Sequence, residues 1–126
     1  MSGSPPVLLD SVILIDHLNG IEAATSYLRE VADAAHLSVI TRAEVLAGAA
    51  PEQVPDIKAL LDRFALILID REVADAAAEL RRTYRWRLPD ALQAAAALGN
   101  GLQFATRNTK DFPPDRFEFV IVPYAV

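Results

Sequence analysis

The fold is decided by Val7-Leu8-Leu9-Asp10-Ser11-Val12-Ile13-Leu14-Ile15-Asp16. This apolar run is typical of a short buried strand, and we expect Asp10 to stand at the exit of that strand. A carboxylate that is partly removed from water needs a partner, because burying an unpaired charge is expensive. We therefore expect Asp10 to share a ligand with other side chains of the chain.

Length and composition predict a single soluble domain. The chain has 126 residues, enough for one core that hides roughly two-thirds of the extended chain's surface. Residues 1–6 are rich in small residues and proline, so we expect a flexible lead-in followed by one domain over residues 7–126. No apolar run approaches the ~20 residues of a membrane helix. Zero cysteines and the lack of a secretory signal at the amino end favour a cytoplasmic protein.

The charge balance argues against nucleic-acid binding by bulk electrostatics. There are 12 basic and 17 acidic residues, a net charge of −5. A role on nucleic acid would need a local basic patch. Cations bound by several carboxylates would supply further positive charge where a phosphate arrives.

Strand-like and helix-like segments alternate along the chain. Thr41 and Glu44 have the spacing of a capping box, which predicts that a helix begins at Arg42, and Asp70 is expected to cap another. Further helices are expected near 21–33, after Pro51, and from Leu88-Pro89-Asp90. After the strand before Asp10, the expected strands are 37–40, 65–69, 102–105 and 119–122, with 65–69 covered on both faces.

This alternation predicts an α/β fold with a five-stranded, mainly parallel sheet flanked by helices on both faces. In such sheets ligands bind beyond the carboxyl ends of the strands, near the point where the strand order reverses. Asp10, Glu44, Asn108 and Asp111 follow strands, and Asp90 opens a helix that can face the same edge.

Four acids at one edge would repel one another and raise each other's pKa unless a cation lay between them. Hard oxygen ligands, no cysteine and only two histidines favour Mg²⁺, with Mn²⁺ plausible, over Zn²⁺. Because each such ion needs only one or two carboxylates, the cluster of Asp10, Glu44, Asp90 and Asp111 could hold two.

Each acid also has a simpler structural explanation. Glu44 could complete its capping box, Asp90 could compensate a helix dipole, and Asp111 could cap a turn. Asp10 fits such an explanation least, because a strand offers it no helix amide. Asp16 is interpreted as a surface acid or an arginine partner.

Arg81, Arg82, Arg85 and Arg87 crowd the end of one helix. They could form a solvated helix face or a patch that binds the phosphates of a nucleic acid. Trp86 lies among them and could stack on a base, although a lone tryptophan is more typical of core packing.

Four blocks of the sequence resemble the PIN domain, in particular the VapC toxins of bacterial toxin–antitoxin pairs. They are Leu-Leu-Asp10-Ser-Val-Ile-Leu-Ile-Asp16, Ile-Thr-Arg-Ala-Glu44-Val-Leu-Ala-Gly48, Leu-Pro-Asp90-Ala-Leu-Gln-Ala-Ala-Ala and Ala-Thr106-Arg-Asn108-Thr-Lys-Asp111-Phe. The blocks follow in the family's order and span almost the whole chain.

The resemblance implies a magnesium- or manganese-dependent endoribonuclease, commonly a homodimer, that is silenced by a VapB-like antitoxin. By position, Asp10, Glu44 and Asp90 match the family's recurrent acids. The fourth acid falls at Asn108 or Asp111, and we favour Asp111, with Asn108, Thr106 and Ser11 as supporting polar groups. Val12 departs from the family pattern, in which a polar residue is common, and this removes one supporting hydrogen bond.

These observations predict hydrolysis of RNA phosphodiesters with two ions about 3.5 to 4 Å apart. The residues expected to steer the RNA backbone are Arg107, Lys110, Arg85 and Arg87.

Two alternatives lack nuclease activity. One is a magnesium-binding regulatory module like a receiver domain, but that class needs paired acids after the first strand and a lysine after the last. The other is a protein-interaction module whose acids serve only as helix caps, and such a protein would bind no divalent metal.

Overall fold

The computed structural model describes residues 5–126, so residues 1–4 of the predicted lead-in lie outside the described residues. Pro5 and Pro6, which complete the lead-in, are exposed. The strands are β1 (Val7–Leu9), β2 (Ala35–Ser38), β3 (Ala65–Ile67), β4 (Gln103–Ala105) and β5 (Val120–Ile121). The helices are α1 (Ser11–Leu18), α2 (Glu22–Val31), α3 (Val39–Ala47), α4 (Val54–Leu61), α5 (Arg71–Tyr84) and α6 (Leu88–Gly99), with a short 3₁₀ turn at Pro51–Gln53.

The five strands form one sheet in the order β3-β2-β1-β4-β5, and every neighbouring pair is parallel. The predicted five-stranded α/β fold is therefore confirmed. Leu8, at the centre of β1, pairs with His36 of β2 on one side and with Phe104 of β4 on the other. The chain builds outward from β1 to β3 and then returns to the opposite side of β1, so the strand order reverses between β1 and β4.

Alternating side chains of β1 face two separate hydrophobic layers, as the two-residue period of a strand requires. Val7 and Leu9 pack into a core with the apolar faces of α1, α2, α3 and α4. Leu8 packs with Phe104 into a second core covered by α5 and α6. Helices thus cover both faces of the sheet, which explains why its central strands are continuous apolar runs.

The prediction for the stretch after Asp10 is wrong in one respect. The strand stops at Leu9, and α1 begins at Ser11 with the carboxylate of Asp10 as its N-cap, accepting a hydrogen bond from the Ser11 backbone N–H at 2.8 Å. Leu9 lies opposite Ala105, the last residue of β4, so the regular pairing of these two strands ends there. Asp10 therefore has the helix amide that the sequence-based interpretation denied it.

The predicted start of α3 is also wrong. The helix begins at Val39 instead of Arg42, because the hydroxyl of Ser38 accepts hydrogen bonds from the backbone N–H groups of Ile40 and Thr41 at 3.1 and 3.2 Å. Thr41 is consequently a buried residue of the first turn, and Glu44 lies in the second turn, where it completes no capping box.

β3 was expected to be covered on both faces, but it is an edge strand. Leu66 and Leu68 are 46% and 67% exposed. These residues are exposed because β3 lies at the edge of the sheet. The order of strands cannot be predicted from the hydrophobicity of a single segment. By contrast, the predicted cap of α5 is confirmed, since the Asp70 carboxylate accepts a hydrogen bond from the Val73 N–H at 2.9 Å. Among residues 5–126, the helices are too short or too polar to cross a membrane.

Candidate active site

Asp10 and Thr106 meet where the strand order reverses. Asp10 follows β1 and Thr106 follows β4, and the Thr106 hydroxyl donates a hydrogen bond to Oδ2 of Asp10 at 2.7 Å. The backbone continues the pairing, because the Asp10 N–H donates to the Ala105 carbonyl at 2.9 Å. Asp10 is thus held by two strands and by the first amide of α1.

Burial makes the Asp10 carboxylate unusually basic. Its pKa rises from 3.8 to about 6, chiefly because burial disfavours the charged form, and the negative charges of Asp90 and Glu44 raise it further. The hydrogen bonds from Thr106 and Ser11 lower the pKa but do not compensate. Two strands and a helix therefore hold Asp10 where a nearby cation would favour its ionised form.

Asp90 lies in the first turn of α6, and Pro89 is the second residue of that helix. Burial and repulsion from Asp111 and Glu44 raise the pKa of Asp90, although the positive charge of Arg87 opposes the shift. Compensation of a helix dipole alone would lower the pKa of this carboxylate. The predicted acids are therefore close enough to affect one another's pKa. The charges of Glu44 and Asp111 raise the pKa of Asp90, and those of Asp90 and Glu44 raise the pKa of Asp10.

The loop after β4 ties the fourth acid to the first. The Asn108 N–H donates to the Thr106 hydroxyl at 3.0 Å, and the Asn108 side-chain amide donates to Oδ2 of Asp111 at 3.0 Å. The Asp111 N–H in turn donates to the side-chain Oδ1 of Asn108 at 3.3 Å. Asn108 therefore orients Asp111, while Thr106 links the loop to Asp10.

The chemistry of these donors suits a hard divalent cation, because all the donors are carboxylate oxygens. Within residues 5–126, no three acidic or histidine side chains converge closely enough to form a ready-made metal cage. Mg²⁺ does not need such a cage, since it retains several waters and binds through one or two carboxylates. The residues thus fit Mg²⁺ or Mn²⁺ better than a cation that requires a closed protein site.

Arg107, predicted to steer RNA, has a different partner in the structure. Its guanidinium forms a two-pronged ion pair with Asp16, from Nε to Oδ2 at 2.6 Å and from Nη2 to Oδ1 at 3.0 Å. The Tyr124 hydroxyl donates to the same Oδ2 at 2.8 Å. Asp16 is the arginine partner that the sequence suggested, but it is buried and not on the surface.

All four residues of the arginine cluster are exposed, and Arg81 also makes a structural contact. Arg81 donates to the Trp86 carbonyl at 2.6 Å and so ties down the turn after α5. Arg82, Arg85 and Arg87 are exposed, and Arg87 lies close enough to Asp90 to influence the pKa of its carboxyl. Lys110, in the loop with Asp111, is exposed as well.

Trp86 is a core residue and offers no face for a base. It is 4% exposed, stacks on Tyr84 with ring centroids 4.6 Å apart, and donates from Nε1 to the Asp111 carbonyl at 3.0 Å. The tryptophan therefore supports the loop that carries Asp111.

The sequence-based interpretation missed a buried polar network of Ser38, Thr41 and Gln93. Its one visible signal was Gln93, a polar residue in the alanine-rich helix that Asp90 opens. That signal does not reveal the partners, because they lie more than 50 residues away along the chain.

The PIN-domain family model matches residues 7–113 of the chain. Among characterised relatives, Ribonuclease VapC10 of Mycobacterium tuberculosis is 34% identical over 127 residues, covering 95% of this chain and 94% of the relative. Ribonuclease VapC19 of the same organism is 29% identical over 114 residues, covering 84% and 91%.

Solved structures agree with this match. A toxin–antitoxin complex from Klebsiella pneumoniae contains a chain with a TM-score of 0.85 and 34% identity, covering 95% of this chain and 99% of that one. A chain of FitAB bound to a DNA fragment has a TM-score of 0.80 at 22% identity, covering 95% and 96%, and this similarity concerns the fold alone.

Proposed function

The chain belongs to the PIN-domain family, and on that premise we propose that it is a metal-dependent endoribonuclease, the toxin of a toxin–antitoxin pair. The observation that supports the assignment of the site is the position of Asp10, which Thr106 and Ser11 hold where the strand order reverses and where the charges of Asp90 and Glu44 raise its pKa. The family match disfavours the receiver-like alternative.

Asp10, Glu44 and Asp90 would hold the cation, and Asp111 would complete the set. When bound, Mg²⁺ or Mn²⁺ would supply the positive charge that activates water and stabilises the charge of a phosphodiester transition state. Thr106 and Ser11 hold the Asp10 carboxylate, and Asn108 orients that of Asp111. Arg85, Arg87 and Lys110 are exposed cations available to the RNA backbone, whereas Arg107 acts through its pair with Asp16.

The partners follow from the same relatives. The similar Klebsiella pneumoniae chain was solved in a complex with its antitoxin, which supports a VapB-like antitoxin as the partner of this chain. RNA is the substrate implied by the ribonuclease relatives. Because cellular RNA is present in the cytoplasm, we propose the cytoplasm as the place of action. A homodimer is expected from the family resemblance.

The deciding experiment measures cleavage of a labelled RNA by wild type, Asp10→Asn and Asp90→Asn. We expect wild-type cleavage with Mg²⁺, none with EDTA, and a loss of at least about 10²-fold in both variants, because each removes a proposed ligand. Asp33→Asn is the matched control, since Asp33 is an exposed acid that precedes β2, at the opposite edge of the sheet. Cleavage that persists in the Asp10 and Asp90 variants would refute this site.

A further inference from the structure

Gln93 is a fully buried polar side chain in a helix whose other buried residues are all alanines. The Ser38 hydroxyl donates to its Oε1 at 2.6 Å, and its Nε2 donates to the Thr41 hydroxyl at 2.5 Å. Thr41 then donates to the Leu9 carbonyl at 3.2 Å. We call these three side chains, Ser38, Thr41 and Gln93, the Gln93 network.

The direction of every hydrogen bond in the Gln93 network is determined by the backbone at its ends. The Ser38 hydroxyl already accepts from the N–H groups of Ile40 and Thr41, so its own proton must point to Gln93. The Leu9 carbonyl can only accept, so the Thr41 proton must point to Leu9. The Gln93 amide can therefore adopt only one of its two orientations.

The Gln93 network joins the elements that carry three of the proposed ligands. Gln93 lies one helical turn after Asp90 on α6, and Thr41 lies one turn before Glu44 on α3. Leu9, whose carbonyl anchors Thr41, directly precedes Asp10. One chain of hydrogen bonds therefore sets the separation of α3, α6 and the end of β1.

We propose that the Gln93 network is a positioning device that sets the spacing of Asp10, Glu44 and Asp90 and thereby the affinity of the site for its divalent cation. The inference rests on the proposed function. None of the three side chains is expected to touch the cation or the RNA, so each acts through the carboxylate on its own or the neighbouring element.

A role in positioning explains why the contact is polar. Apolar side chains of similar volume would bury the same surface without desolvating a hydroxyl and an amide, and such replacements are often close to neutral for stability. Apolar contacts, however, impose no direction and allow two helices to slide. A satisfied network of directed hydrogen bonds holds α3 and α6 in one register.

The first test replaces Gln93 by methionine, an unbranched side chain of similar length. Binding of Mn²⁺ to the RNA-free protein is measured by titration calorimetry, and the Mg²⁺ concentration for half-maximal RNA cleavage is measured separately. We expect both constants to rise by about tenfold, because small displacements of reacting groups have large effects on function. The thermal unfolding midpoint should fall by an amount comparable to that in the control below, because the buried Ser38 hydroxyl loses its acceptor.

The control is Val31→Ala, which shortens a core side chain in the last turn of α2, outside the acid-bearing elements. It should lower the unfolding midpoint but leave Mn²⁺ affinity within about twofold of wild type. Equal losses of affinity in Gln93→Met and Val31→Ala would overturn the proposal, because general loosening would then explain both.

A second pair of variants separates the hydroxyl from the shape of the side chain. Thr41→Val removes the hydroxyl and should weaken Mn²⁺ binding, whereas Thr41→Ser retains it and should restore near-normal affinity. Unchanged affinity in Thr41→Val and Gln93→Met would overturn the proposal. Failure of both to fold would also overturn it, since the network would then be a folding element.

Failure of this inference is distinguishable from failure of the proposed function. If wild type neither binds Mn²⁺ nor cleaves RNA, the proposed function fails and the network has no metal site to position. If wild type binds Mn²⁺ and cleaves RNA, and Asp10→Asn does neither, the proposed function stands. The Gln93 and Thr41 variants then decide the inference alone.

Discussion

The buried carboxylate of Asp16 and the partly exposed guanidinium of Arg107 form a two-pronged ion pair between residues 91 positions apart in the sequence. The pair joins α1 to the loop after β4, directly beside Thr106. It therefore fastens together the two segments that meet at Asp10.

Removing one partner of this pair should destabilise the protein strongly. Asp16→Asn removes the charge-assisted hydrogen bonds that Arg107 makes, so we expect a loss of about 2 kcal/mol in the free energy of unfolding, measured with urea at pH 7. The matched control is Asp62→Asn, which breaks the Arg42–Asp62 pair, where the Asp62 side chain is 66% exposed. That change should remove less than about 1 kcal/mol. Equal effects in the two variants would contradict the structural role assigned to Asp16.

The contribution of the pair should depend on pH. Arg107 holds the pKa of Asp16 below its ordinary 3.8, so the stabilisation is present above about pH 4 and is lost as the pH falls through the folded-state pKa. The difference in unfolding free energy between wild type and Asp16→Asn should be constant from pH 7 to 5 and shrink below pH 4, because a protonated Asp16 resembles asparagine. A difference that grows as the pH falls would have the wrong sign.

Metal-free protein should be more stable when Asp10 is neutral. At pH 7.5 in EDTA, Asp10→Asn removes a buried charge whose pKa is raised to about 6 and retains an N-cap residue. We expect a gain of about 1 to 3 kcal/mol, seen as a higher thermal midpoint. Adding Mg²⁺ should raise the midpoint of wild type and leave that of the variant unchanged, since only a folded protein that binds the ion is stabilised by it. An equal response of both proteins to Mg²⁺ would exclude Asp10 as a ligand.

Arg85 closes α5 in a left-handed conformation, with φ 60° and ψ 27°. This conformation disfavours any residue with a Cβ, so Arg85→Gly should increase the free energy of unfolding by about 1 kcal/mol in urea titrations. If Arg85 also binds the RNA backbone, the same variant should raise KM for RNA. Arg85→Lys is the control, because it retains both the charge and the strain and should change neither quantity much. If Arg85→Gly instead lowers the free energy of unfolding, the Arg85 side chain makes a contact that stabilises the protein by more than the left-handed conformation destabilises it.

Much of the fold is predictable from local pattern. The apolar runs located β1, β3, β4 and β5, although the strand predicted at 37–40 lies at Ala35–Ser38. The apolar period predicted α2 and α5, and Pro89 predicted the start of α6, because these signals depend only on residues close together in the chain. The errors share a cause. The cap formed by Asp10, the start of α3 and the exposure of Leu66 each depend on where neighbouring strands end or lie.

The candidate site was predictable as a set of acids but not as a geometry. The rule that parallel strands present their carboxyl ends at one edge, together with the family resemblance, selected Asp10, Glu44, Asp90 and Asp111 as candidates from 17 acidic residues. It could not show that Arg107 is occupied by Asp16, or that Trp86 supports the Asp111 loop, because those contacts are made between distant segments.

The sequence by itself determined that this protein alternates strands and helices and that acids follow its strands, since periodicity and capping act over a few residues. Only the tertiary structure decided that the order of strands brings Thr106 to Asp10, Arg107 to Asp16, and Gln93 to Ser38 and Thr41. These contacts span 52 to 96 residues, and they form because the chain crosses from β3 back to β4 beside β1. Local sequence patterns do not predict that crossing, because it depends on how whole helices pack on the two faces of the sheet.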